Sequence, residues 1–219
     1  MADAAEPIVI DVVSDVVCPW CYLGKKRLEA ALATSGEQAQ IRWRPYQLDP
    51  TIPPEGLERK AYMEAKFGKG DRLRQAHDHL MQKGAEVGLA YDFAAIKRAP
   101  NTLDAHRLIR WALAKGVQDF VVTRLFQLYF EQGRDISDRD LLAGLAGEAG
   151  MDGAEVRAML ETDQDTAAVR QEIAEAQKIG VTGVPFFIFA GKLALPGAQE
   201  ASVMIEALKQ ARAGEGQAG

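Results

Sequence analysis

One stretch limits this chain more than any other. Ile8-Val9-Ile10-Asp11-Val12-Val13 runs through Ser14-Asp15-Val16-Val17 directly into Cys18-Pro19-Trp20-Cys21, the only cysteines among 219 residues. The β-branched run between Pro7 and Ser14 predicts a buried strand. Proline suits the first turn of a helix, where its missing N–H is no loss, so Pro19 predicts a helix opening at the cysteines. Tyr22, Leu28, Ala31 and Leu32 recur at helical spacing as far as Ser35-Gly36. Lys25, Lys26 and Arg27 are expected on the solvated side of that helix. Gln40–Arg44 then alternates with period two and stops at Pro45, a second strand.

From about Leu57 to Lys178 the pattern predicts helices and no strand. Residues 57–90 read as two polar helices. Pro100-Asn101-Thr102 opens another, with Leu103, His106, Ile109 and Leu113 on one face, closing at Lys115-Gly116. Residues 118–131 follow, carrying Val121, Val122, Leu125, Phe126 and Tyr129. Ser137 with Asp140, and Asp152 with Glu155, match capping boxes for two short helices, and a longer one spans about Asp163 to Lys178. Val184–Phe189 and Lys192–Leu195 flank Ala190-Gly191 as a hairpin. A helix over 199–212, with Val203, Ile205 and Leu208, completes an α/β domain split by a helical insertion. The tails, 1–6 and 213–219, are small and polar, which predicts flexibility.

Composition narrows the function classes. A net charge of −5 argues against nucleic acid, whose phosphates need a basic surface. No apolar run reaches the ~18 residues of a membrane helix. The N-terminus lacks a positive charge ahead of its apolar stretch, which itself holds Asp11, so no secretory leader is expected and the location expected is cytoplasmic. Two cysteines cannot form a disulfide scaffold, and in that compartment structural disulfides are uncommon.

The pair itself has three readings. As half a zinc site it would need His77, Asp78 and His79 as the other half; as inert thiols it would only fill space. As a redox couple, Cys18 at the helix N-terminus meets free N–H groups and partial positive charge that stabilise a thiolate. Cys21, one turn on, faces the same side and can close a disulfide with it. That reading makes Cys18 exposed and attacking, and Cys21 covered and resolving. Pro19 and Trp20 would tune the pair, with the Trp20 ring at the rim. A strand-to-helix setting favours redox chemistry over a zinc knuckle. Far along the chain, Gly180-Val181-Thr182-Gly183-Val184-Pro185 leads straight into a strand. A cis Val184–Pro185 bond there would present backbone groups to an extended thiol substrate.

The combination resembles the thioredoxin-fold DsbA family, in its FrnE-like branch. Ser14–Gly24, Trp43-Arg44-Pro45-Tyr46-Gln47-Leu48, Asn101-Thr102-Leu103-Asp104-Ala105-His106, and Gly183-Val184-Pro185-Phe186 with Gly197-Ala198-Gln199 carry the resemblance over about residues 8–210. It implies a thioredoxin-like fold: a central mixed sheet flanked by helices, with a large all-helical insertion. The implied division is 8–50 with 163–212 for the thioredoxin-like part and 55–162 for the insertion. It also implies that Val184 and Pro185 form the cis-proline loop facing Cys18. Two departures stand out. The dipeptide is Pro-Trp where strongly oxidising periplasmic members have Pro-His, and Pro196 replaces the usual small polar residue before Gly-Ala-Gln.

Asn101 and His106 lie in a family-like motif and are candidates to line the substrate cleft; the plainer alternative is a helix cap and an inward-packed histidine. Asp15 either moves protons for Cys21 or caps the turn. The leading function is a thiol–disulfide oxidoreductase acting on protein or small-molecule thiols and disulfides. It needs no bound cofactor beyond its own dithiol and no metal, with glutathione a candidate co-substrate. One rival is a glutathione-dependent isomerase or transferase of the kappa or hydroxychromene-carboxylate isomerase type, relatives that resemble S-P-x-S where this chain has two cysteines. A second is a non-enzymatic holdase or zinc-binding protein. Nothing in the sequence indicates the oligomeric state or the direction of electron flow.

Overall fold

The computed structural model describes residues 6–215. Strand β1 (Ile8–Ser14) leads through Asp15–Cys18 into helix α1 (Pro19–Ser35), which returns the chain to β2 (Ala39–Pro45). β1 and β2 pair in parallel, from Ile8 opposite Ala39 to Ser14 opposite Pro45. A parallel pair needs a crossover of this length, and α1 supplies it. β5 (Phe186–Phe189) lies antiparallel on the other side of β1, and β6 (Leu193–Pro196) completes the order β2-β1-β5-β6. Residues 190–192 join the last two strands. Ala190 and Gly191 both take left-handed φ there, 49° and 66°, the twist that a tight hairpin requires. Pro45 and Pro196 close edge strands, where a missing N–H costs no ladder bond.

Strand alternation sorts the two faces of the sheet. Ile8, Ile10 and Val12 with Phe187 and Phe189 are buried in the main core, with Tyr22, Leu23 and Leu28 of α1 and Met204 and Leu208 of α9 (Ala201–Glu215). Val13 and Phe186 face the other way, onto Ala176 and Val181 around the end of α8 (Thr166–Lys178). Asp11 shares that second face and binds Arg42 and Arg44 of the neighbouring strand at 2.6 and 2.7 Å. Each fully buried large side chain contributes about 2 to 3 kcal/mol of transfer free energy. This layer is therefore the rigid base on which the cysteines stand.

Between the halves of the sheet lie α2 (Arg59–Phe67), α3 (Asp71–Ala85), α4 (Leu103–Ala114), α5 (Gln118–Phe130), α6 (Arg139–Glu148) and α7 (Gly153–Leu160). The insertion is not purely helical. β3 (Leu57–Glu58) pairs antiparallel with β4 (Arg98–Ala99), two strands too short to produce a readable period. α6 is capped by Asp138, which accepts from the Asp140 N–H at 2.9 Å, while Ser137 turns to Asp135 instead. Asp152 caps α7 as its position predicts.

Three further expectations are corrected. Lys25 and Arg27 are buried rather than solvated, because consecutive helical residues step by about 100° and α1 is covered on more than one side. The Lys25 ammonium, on a side chain 2% exposed, meets Glu29 at 2.5 Å and Asp119 at 3.0 Å, and Arg27 reaches the Ala198 carbonyl and Glu200. Leu113 and Val203 are exposed, and the buried faces of their helices run through Ala105, His106, Leu108 and Ile109, and through Met204 and Leu208. α9 continues to Glu215, past the predicted end at 212, while residues 1–5 and 216–219 of the expected flexible tails lie outside the described residues. No helix among the described residues is long and apolar enough to cross a membrane.

Candidate active site

Cys18 is the residue before the first turn of α1, extended at φ −90° and ψ 112°, with Pro19 next and no acidic residue in the first turn. Its backbone N–H donates to the Asp15 carbonyl, and its carbonyl accepts from the Cys21 N–H, each at 3.0 Å. The turn is thus closed around the sulfur, and the positive end of α1 points at it without a competing carboxylate in the first turn. Both cysteines are free thiols.

The expected asymmetry takes a different form. Cys18 is only 4% exposed and Cys21 1%, so neither sulfur stands out in solvent. What separates them is a cavity of about 650 Å³ lined by Cys18 and not by Cys21. Val184 lines the same cavity, and Cys18 Sγ lies 3.5 Å from its carbonyl oxygen. The Val184–Pro185 peptide bond is cis, and Pro185 is followed at once by the first residue of β5. Burial, and after it the neighbouring Cys18, pushes the Cys21 thiol well above the usual thiol range. A protonated, covered thiol behind a cavity-facing one is the arrangement an attacking and a resolving cysteine require.

Several contacts fix the turn. The Tyr91 hydroxyl donates to the Pro19 carbonyl at 2.6 Å. Burial moves both Tyr91 and Tyr22 far above the ordinary phenol range, so both stay protonated donors. Gly24, one turn past Cys21, lets α1 approach the proline loop: a Cβ there would sit 3.0 Å from Pro185 Cγ and 3.1 Å from Phe187 Cζ. The Pro185 carbonyl accepts from the Gly197 N–H at 2.8 Å, tying the Pro196-Gly197 corner to the same loop. Trp20 lies at the cavity rim, more than a third exposed, with its ring 5.9 Å from that of His79.

The other sequence candidates divide. Asp15 lines the cavity yet is almost fully buried, and its Oδ2 accepts from the Leu48 N–H at 2.8 Å rather than capping its own turn. Its Oδ1 faces His106 Nε2 at 3.4 Å, and neither atom has a hydrogen-bond partner. His106 does not reach the cavity; with Ser14, Trp43 and Ile109 it borders a small void beneath β1 and β2 that holds no water-sized space. Asn101 lies outside the cavity as well. Its Oδ1 accepts from the Leu103 N–H at 2.9 Å at the start of α4, and its Nδ2 donates to the Ile52 carbonyl at 2.5 Å. Among the described residues no three His, Cys, Asp or Glu side chains are grouped to hold a metal ion. His77, the candidate second half of a zinc site, lines the cavity with Cys18 and stacks on Phe93, the ring centroids 4.1 Å apart.

Sequence reasoning missed most of the cavity wall. α2 has no buried residue, and α3 only Leu80 and Gly84. Their apolar stripe of Met63, Phe67, Leu73, Ala76 and Leu80 faces the cavity instead of a core. That stripe was the available signal, hidden by the polar composition of both helices. Tyr129, Arg59, Lys66 and Arg72 also line the space. Burial pushes the Tyr129 phenol up to about 12, opposed by Arg59, which donates to its oxygen at 3.0 Å.

A model of the family described as DSBA-like thioredoxin domain matches residues 9–209. A probable DsbA oxidoreductase, SCO1869 from Streptomyces coelicolor, has a similar solved structure. Its identity to this chain is 34% and its TM-score 0.84, over 94% of this chain and 90% of its own. The cytosolic disulfide reductase DsbM from Pseudomonas aeruginosa, solved with GSH, is similar in fold. There the identity is 17% and the TM-score 0.61, over 95% of this chain and 98% of its own. Among curated proteins, YwbO of Bacillus subtilis, described as uncharacterized, is 29% identical over 204 residues, covering 91% of this chain and 94% of its own.

Proposed function

Since this chain belongs to the DSBA-like thioredoxin domain family, we propose that it catalyses thiol–disulfide exchange through its Cys18–Cys21 pair. The observation that carries this reading is the position of Cys18, at the N-terminus of α1, open to the cavity and 3.5 Å from the Val184 carbonyl, with Cys21 sealed one turn behind. Reduced enzyme attacks through the Cys18 thiolate, which bonds to one sulfur of a substrate disulfide and expels the other as a thiolate that takes up a proton. Cys21 then loses its proton and attacks Cys18, closing the intramolecular disulfide and releasing the second thiol. Oxidised enzyme runs the same steps in reverse on a dithiol. Pro19 and Trp20 border the attack site, and the backbone beside Val184 and Pro185 is where an extended thiol substrate would lie.

The motif residues quoted for the FrnE-like branch support placing the chain there. The same reading treats 8–50 with 163–212 as the thioredoxin-like part and 55–162 as the insertion, and a cytoplasmic setting accords with the cytosolic neighbour. Cysteine at both 18 and 21 supports exchange over the glutathione-dependent isomerase or transferase alternative. The test is insulin reduction with wild type, Cys18→Ser and Cys21→Ser, beside titration of the couple in a glutathione redox buffer. Loss of turnover in both variants is expected, and turnover that survives Cys18→Ser refutes the proposal. A potential near about −270 mV assigns reduction, and one of about −120 to −180 mV assigns oxidation or isomerisation.

A further inference from the structure

Charges around the cavity are not balanced. It is lined by Arg59, Lys66 and Arg72 and by two carboxylates, Asp15 and Asp49. Asp15, almost fully buried, turns Oδ2 to the Leu48 N–H and Oδ1 toward His106 Nε2 at 3.4 Å. Asp49 is held below the usual carboxylate range, first by the Thr51 hydroxyl and then by Tyr62 and Lys66, whose ammonium lies 3.8 Å away. Lys66 is thereby compensated. Arg59 is not: its guanidinium donates to the Tyr129 hydroxyl and lies 6.0 Å from the centre of that ring, without a carboxylate partner among the described residues. Arg72 likewise has no ion-pair partner there, whereas Arg27, Arg42, Arg44, Arg107 and Arg110 each have one.

Two unneutralised guanidinium groups thus face one cavity in a chain of net charge −5. A concave, largely apolar wall focuses such charge toward whatever enters, and a guanidinium, half-buried at Arg59 and exposed at Arg72, pairs bidentately with a carboxylate. The apolar side is supplied by Trp20, Met63, Phe67, Leu73 and Phe93. At about 650 Å³ the space falls within the range of small-molecule sites, roughly 300–1,000 Å³.

Resting on the exchange chemistry assigned above to Cys18, we propose that the cavity selects low-molecular-weight disulfides, and the thiols derived from them, that carry carboxylates, with Arg59 and Arg72 pairing to those carboxylates while the sulfur meets Cys18. The bonds are those of ordinary exchange: one substrate S–S bond is broken, the Cys18–Cys21 bond is formed, and two electrons pass to two released thiols, which take up the protons.

The test uses three small disulfides of similar size and different charge: 3,3′-dithiodipropionate, bis(2-hydroxyethyl) disulfide and cystamine. The oxidation rate of the reduced enzyme by each is divided by the rate of dithiothreitol with the same compound, which removes intrinsic reactivity. The expected order is anionic, then neutral, then cationic, with the anionic compound favoured over the neutral one by about tenfold. Arg59→Gln and Arg72→Gln should each shrink that ratio, and raised salt should shrink it too. Equal normalised rates, a reversed order, or a preference untouched by both substitutions overturns the selectivity while leaving the exchange reading intact. If none of the three compounds oxidises the reduced pair and none of the three corresponding thiols reduces the oxidised pair, the exchange reading falls, and the selectivity with it.

Discussion

Arg107 is the sharpest place to perturb the framework. It is 1% exposed, the largest side chain so fully enclosed, and it reaches from α4 to the segment where the insertion rejoins the chain. Its guanidinium donates to the carbonyls of Met159, Thr162 and Gln164 at 2.7, 2.8 and 2.8 Å, and more weakly to Leu160 at 3.4 Å. It also meets Asp104 at 2.7 Å. These carbonyls end α7 and lead toward α8, and a helix end without partners is costly when covered. Arg107→Met keeps the aliphatic stem and removes every donor. The Met159 carbonyl keeps the Thr162 N–H and hydroxyl at 3.1 and 2.8 Å, so the Thr162 and Gln164 carbonyls are the ones left unpaired, and a buried acceptor without a partner costs ~1–3 kcal/mol. Asp104 is not orphaned, because Arg139 holds its other oxygen at 2.9 Å. The total is about 2–4 kcal/mol, a large share of a typical stability of ~5–15 kcal/mol. Arg107→Lys keeps the charge but only three donors from one point, and should cost about half as much. Urea unfolding followed by circular dichroism measures both. A loss under ~1 kcal/mol for Arg107→Met would show that water or a rearranged loop satisfies these carbonyls and that the bonds do not hold the junction.

Three other outcomes follow from the site. Gly24→Ala places a methyl against Pro185 and Phe187 at 3.0 and 3.1 Å; the crowding should cost about 1–3 kcal/mol of stability and slow exchange more than Gly144→Ala, an open helical position, in parallel melting and insulin assays. Resolution of a Cys18 mixed disulfide should quicken about tenfold per pH unit between roughly pH 7 and 9, because burial keeps Cys21 protonated through that range; a rate independent of pH in stopped-flow refutes this. His77 is held below its ordinary range by burial and then by Arg59. The unfolded chain therefore takes the proton first as pH falls below about 6.5, and this residue costs stability in that direction. His77→Phe, which keeps the stack on Phe93, should flatten the fall in melting temperature on acidification, as read by calorimetry.

What could be read from the sequence was local, and what could not be read was brought together from afar. The strand, the proline at the helix start and the cysteine spacing lie within one short segment, so β1, the first turn of α1 and the pairing of Cys18 with Cys21 follow from neighbours alone. The burial of Lys25 depends on Asp119, and that of Arg27 on Ala198 and Glu200, partners from distant parts of the chain that no periodicity announces. Cys18 is covered for the same reason, by a loop 166 residues away. The cavity escaped because α2 and α3 look like ordinary polar surface helices; only their apolar stripe, turned toward an empty space, marks them as walls. His106 reads as a cleft residue only while its motif is taken by itself, and the fold turns it under the sheet toward Asp15.

The central claim concerns which sulfur attacks. The most direct measurement is intact-protein mass after incubating each reduced single-cysteine variant with a slight excess of glutathione disulfide at neutral pH. Cys21→Ser should gain one glutathione adduct rapidly, mapped to Cys18, while Cys18→Ser should gain none on the same timescale. Rapid adduct formation at Cys21 in the Cys18→Ser protein, with Cys18 inert in its counterpart, would contradict the account.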